Sequence, residues 1–177
     1  SDLFAGNAMA LTKDEYKTGK DRISADYKAS KQKCDGLKSN AKDICESEAK
    51  GTEKIAKAEL ESQYKPTPRN MEKVGFAKAD AAYDIAKEKC DDMAGNAKDV
   101  CVKDAKAAQV KAKEDAKVAK ASADVNKAKS EKVADASQDA NKAKNEADYK
   151  AAKERCDALA GAPKDTCVND ARAKFGM

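Results

Sequence analysis

The chain has 177 residues, of which 37 are Ala and 32 are Lys, while Leu, Ile, Val and Phe together number 20. So few large apolar side chains exclude a conventional thick core, because alanine removes little apolar area from water. The 36 basic residues nearly cancel the 32 acidic ones, leaving a net charge of +4; disorder by self-repulsion is disfavoured, and a thin, charge-coated, helix-rich molecule remains.

The first ten residues, SDLFAGNAMA, carry no charge apart from Asp2 and end in Ala8-Met9-Ala10. That ending matches an A-x-A signal-peptidase site, without the basic region and most of the apolar region of a signal. Residues 1–11 therefore read either as a signal remnant or as a flexible N-terminus. No later stretch approaches the roughly 18 to 20 apolar residues that cross a bilayer, so no transmembrane segment is expected.

From Thr12 to about Lys38 the pattern is helical, with Tyr16, Ile23, Tyr27, Cys34 and Leu37 on one face. Ser39-Asn40 stops it, and a second helix runs from about Ala41 to Tyr64. Asn at this position suits the N-cap of the following helix, with Asp43 complementing its exposed first-turn amides. Residues 12–64 thus form a first hairpin. Lys65-Pro66-Thr67-Pro68 is a joint, because proline in a helix loses a hydrogen bond and restricts the residue before it. A third helix follows to about Ala94 and ends at Gly95-Asn96.

The next segment, Ala97 to Ala160, contains neither Gly nor Pro over its 64 residues, and the expectation is one very long helix of about 96 Å at 1.5 Å per residue. Ala105, Ala112 and Ala119 fall on a heptad seam, which Ala140, Ala147 and Ala151 continue. Small side chains there allow close helix approach. The weak point is the stretch 124–145, which offers two valines for packing; the expectation is that the first two helices cover it or, if they do not, that a second chain does. A short helix from Pro163 to about Lys174 completes the chain, and residues 69–177 read as second and third hairpins sharing the long helix.

Three copies of one unit underlie this order. Cys34 and Cys45, Cys90 and Cys101, and Cys156 and Cys167 are each separated by ten residues. Tyr27, Tyr83 and Tyr149 precede the first cysteine by seven positions, and Leu37, Met93 and Leu159 follow it by three, which assigns both sets to the packing seam. A Gly, at 95 and 161, suits a left-handed turn residue. The even, paired cysteines point to disulfides and an oxidising compartment. Zinc is the other use of such sets, but it favours C-x2-C spacing or histidine, and the chain has no histidine. A bridge closing about a dozen residues stabilises by roughly 3 kcal/mol.

Catalytic constellations are scarce. Without histidine there is no ordinary base near neutral pH and no Ser-His or Cys-His nucleophile. Phosphate-binding glycine loops and EF-hand patterns are missing; the expectation is no enzyme, no metal and no cofactor. Interleaved acids argue against nucleic-acid binding.

The segment CDDMAGNAKDVC from Cys90 to Cys101, with CDGLKSNAKDIC and CDALAGAPKDTC as variants, resembles the CDxxxGNAKDVC repeat of Lys/Ala-rich exported cell-envelope proteins of gram-negative bacteria, often labelled TolA-like. That resemblance covers most of the chain from Lys13 and implies export to the periplasm or beyond, with no activity to carry over. The expected whole is all-α: an elongated, coiled-coil-like set of about five antiparallel helices with Ala-rich seams. Its expected role is a non-enzymatic structural or assembly protein that self-associates through the long helix, with an envelope protein as a further partner. The alternative is a periplasmic binding or chaperone-like module holding a partner protein or cations.

Overall fold

The computed structural model describes residues 10–126 and 130–177. Within them the chain forms six α-helices: α1 (Lys13–Lys33), α2 (Ser39–Tyr64), α3 (Pro68–Cys90), α4 (Gly95–Ala123), α5 (Ser130–Cys156) and α6 (Gly161–Phe175), with a 3-10 turn at Asp124–Asn126. The expected residues 1–11 fall mostly outside the described part.

Each helix packs on the helix before it and the helix after it, and non-consecutive helices make at most marginal contact among the described residues. Cross-helix contacts make neighbours antiparallel. Asp104 and Asp115 along α4 meet Arg155 and Lys144 along α5, so moving down one helix moves back up the other. The result is an open row of six helices, one layer thick. Its accessible surface of 11870 Å² exceeds the roughly 8,300 Å² expected of a compact monomer of this mass. The buried apolar residues fit such a layer: most are Ala and Cys, with Leu60 the largest aliphatic among them.

The expected helix 97–160 is corrected by this arrangement. Helix α4 stops at Ala123, Asp124 takes its C-cap position, and α5 returns alongside α4. No Gly or Pro makes this break. Ser122, Asp124 and Asn126 are mediocre helix formers, and the folded-back hairpin buries Ala140 and Ala151, which a solitary rod would leave bare; packing overrides the weak propensity of an uninterrupted Lys/Ala run. The expected count of about five helices becomes six, and the weak stretch 124–145 is covered partly by the chain's own α4.

At the start of α1, Thr12 accepts from the Glu15 amide while the Glu15 carboxylate accepts from the Thr12 amide, a reciprocal cap that satisfies two otherwise unpaired donors. Between α2 and α3 the proline joint holds as a turn. Thr67 caps α3 through the Asn70 amide, Pro68 opens the helix, and the buried Asn70 side chain donates to the Lys65 carbonyl at 2.8 Å. Close approach elsewhere depends on missing side chains: a Cβ added to Gly75 in α3 would stand 2.7 Å from the Ala116 Cβ in α4.

Candidate functional site

All three disulfides fall on the same edge of the row, because α1, α3 and α5 run towards that edge and α2, α4 and α6 run away from it. Cys34–Cys45, Cys90–Cys101 and Cys156–Cys167 have Cα separations of 5.6, 5.7 and 5.7 Å, within the range an unforced bridge needs. The first cysteine of each pair is fully buried or nearly so. No free cysteine exists.

The three turns share one path. The leading helix ends at the cysteine, four to five residues before the expected Lys38, Ala94 and Ala160, and the Leu37, Met93 and Leu159 amides bond back to the Cys34, Cys90 and Cys156 carbonyls. An extended residue follows at 38, 94 or 160, then a left-handed one: Ser39 (φ 53°), Gly95 (φ 59°) and Gly161 (φ 65°). This left-handed residue opens the second helix and does not close the first, so Asn40 and Asn96 lie inside their helices and are not N-caps.

The early stop relocates three expected seam residues. Leu37, Met93 and Leu159 lie in the turn, off the helix face, and are 41%, 48% and 45% exposed. The tyrosines Tyr27, Tyr83 and Tyr149 are half-buried, and two of them, Tyr83 and Tyr149, face a cation on the partner helix. Lys106 Nζ lies 5.4 Å from the Tyr83 ring, and Arg172 Nε donates to the Tyr149 hydroxyl at 3.2 Å. Ala105 is buried, but Ala112 and Ala119 are exposed. Helix α4 has neighbours on two opposite sides only, so its seams run through Ala105, Gln109, Ala116 and Ala121, while Ala112 floors an open groove.

A polar knot joins the first two hairpins. Asp80 on α3 accepts from Lys113 Nζ at 2.7 Å, from the buried Gln109 amide at 2.8 Å and from Lys54 Nζ at 3.2 Å, so α2, α3 and α4 meet on one carboxylate. Burial alone would push the Asp80 carboxyl up, but the hydrogen bonds from Lys113, Gln109 and Lys54 outweigh it and hold the group below the usual carboxylate range. Nothing in the sequence singled out Asp80, because acid–lysine pairs occur throughout a chain that is 38% charged.

Near the disulfide edge, a groove of about 380 Å³ runs over α2 between α1 and α3 and is lined by Tyr27, Lys31, Asp43, Lys50, Asp84 and Glu88, among others. Burial, with the Asp91 and Asp43 carboxylates nearby, pushes the Glu88 carboxyl up. A second groove, about 650 Å³ between α3 and α4, has a floor of alanines and Gly75 with Tyr83, Gln109 and Asp115 on its walls. Among the described residues, no three His, Cys, Asp or Glu side chains converge as metal ligands, and no helix is long and apolar enough to cross a membrane.

Comparison with protein-family models, with curated proteins and with solved structures returned no match.

Proposed function

We propose that this chain is an exported, non-enzymatic structural or assembly protein of the cell envelope or the extracellular space. The observation that carries this reading is the row itself: six helices one layer thick, whose seams are mostly Ala and whose turns along one edge are each closed by a disulfide with its first cysteine buried. Such a layer lacks the second layer that most domains use to bury a hydrophobic face, and cross-links supply what a thin core does not. An oxidising compartment follows from the need to keep six thiols bridged. The likeness of the Cys90–Cys101 segment to exported Lys/Ala-rich envelope proteins supports the same location.

The test is alkylation of free thiols in intact cells that make the protein natively, followed by mass spectrometry. Full protection of all six cysteines is expected, and free thiols in the freshly trapped protein would overturn the export reading.

The Ala-floored groove between α3 and α4 favours one second reading, a binding or chaperone-like module. A molecule held there would rest against Ala79, Ala82, Ala108 and Ala112 and would protect those helices from hydrogen exchange. A partner protein or cation that raises the melting temperature and adds protection in α3 and α4 alone would favour this reading over assembly.

A further inference from the structure

The seams between hairpins obey the same repeat as the turns. Moving from the first copy to the second adds 56 to a residue number, and from the second to the third adds 66. The seam of α2 on α3 therefore maps onto the seam of α4 on α5, and the contacts agree. Lys78 pairs with Glu59 across the first at 3.7 Å, and Lys144 pairs with Asp115 across the second. Gly51 lies against Ala81 so closely that a Cβ on the glycine would come within 3.0 Å of the alanine's; the corresponding Ala107 and Ala147 line one groove between α4 and α5. Asp104 pairs with Arg155 across the second seam, and Glu48 and Lys89 hold those positions in the first.

Applied once more, the mapping takes the second helix of the third hairpin, α6, and the first helix of the first hairpin, α1. These are the two outer helices of the row. Ala173 on α6 and Ala25 on α1 correspond to the small pair, and Asp170 on α6 and Lys33 on α1 correspond to the charged pair. All four are exposed. The two outer faces thus carry complementary halves of a seam that the chain builds twice internally, with matching size and opposite charge.

Resting on the assembly reading above, we propose that copies of this chain join head to tail, α6 of one copy packing on α1 of a second copy as α2 packs on α3 and α4 on α5. Such a contact is heterologous and generates an open filament, or a ring where the rotation closes. It also keeps every disulfide turn on the same edge of the assembly. Helix α6 has 15 residues against 26 in α2 and 29 in α4. In addition, Ala162 stands where Asn96 donates to the Glu154 carbonyl at 3.2 Å across the internal seam. The seam between copies is therefore shorter and weaker than the internal ones, and association is concentration-dependent.

The experiment is sedimentation velocity on the oxidised 177-residue chain over a range of concentrations. Wild type is expected to associate progressively beyond a dimer. Ala25→Gln and Ala173→Gln place bulk in the small-residue seam at exposed positions and should each weaken association at least tenfold, with the melting temperature unchanged. Mixed in equal amounts, the two variants keep one good α6 and one good α1 between them and should give a discrete dimer. Asp170→Lys should weaken association about fivefold, and adding Lys33→Glu to it should restore association. Wild type that stays monomeric up to about 1 mM overturns both this seam and the assembly reading. Association that survives both alanine variants, or a mixture that gives no dimer, overturns this seam and leaves assembly by another face standing.

Discussion

The two long edges of the helix row are built by different means. On the disulfide edge three turns repeat one path, with a cysteine bridge, a left-handed residue at 39, 95 or 161 and an exposed apolar side chain at 37, 93 or 159. On the opposite edge the turns are unlike each other. One is the Pro66–Thr67 joint with its Thr67 cap and buried Asn70, and the other passes through the 3-10 turn at Asp124–Asn126. Covalent bonds and backbone stereochemistry fix the first edge, while hydrogen-bonded caps and the packing of flanking helices fix the second. A thin row depends on both, but each should fail under a different insult.

Removing a bridge is the harshest insult to the first edge. Replacing Cys90 and Cys101 together by Ser is expected to cost about 3 kcal/mol, read from urea denaturation, and a loss below about 1 kcal/mol would mean that packing holds this edge too. The same double replacement at Cys156 and Cys167 should act locally, raising hydrogen exchange in α6, whose one substantial neighbour among the described helices is α5, while α2 and α3 stay protected. On the opposite edge, Thr67→Ala with Asn70→Ala removes the α3 cap and the bond to the Lys65 carbonyl. Each contributes about 1 kcal/mol, so a combined loss of about 2 kcal/mol is expected from the same measurement. Ser39→Gly works in the other direction. Ser39 holds φ 53° where the other copies have glycine, and glycine should raise stability by about 1 kcal/mol; no gain would mean that the serine side chain offsets the strain locally.

How far each edge could be read from the letters follows the same division. The disulfide edge was legible because cysteine spacing and glycine are rare, position-specific letters. Its fine structure was not: the helix stops at the cysteine, so Leu37, Met93 and Leu159 leave the face that periodicity assigned them. The break after Ala123 was illegible because no single residue makes it. It exists because α5 buries Ala140 and Ala151 when it folds back, a gain that appears only when both helices are present. The alanine seam was half legible for a related reason. With 37 alanines, a heptad can be drawn along several faces of α4, and only the positions of α3 and α5 select Ala105 over Ala112 and Ala119. The Asp80 knot, which ties together three helices, had no distinguishing signal at all.

The smallest expected effects separate the two kinds of carboxylate that the row contains. Glu88 lies beside the disulfide edge, and its carboxyl is pushed up by burial and by the Asp91 and Asp43 carboxylates. A raised acid pKa means that the folded state binds the proton more tightly than the unfolded chain, so the charged form carries a penalty at neutral pH that is relieved as pH falls through the folded value. Asp80, in the middle of the row, is held low, so its contribution is present above the unfolded value of about 4 and is lost as pH falls through the folded one. Glu88→Gln should therefore raise the melting temperature slightly at pH 7, and Asp80→Asn should lower it. Both differences from wild type should shrink at about pH 3, where the carboxyl groups of the parent protein are becoming protonated. The two effects must have opposite signs at pH 7. If both variants were destabilised there, Glu88 would instead be a favourable partner for the lysines around the groove, and the disulfide edge would be holding its acids by attraction and not in spite of their repulsion.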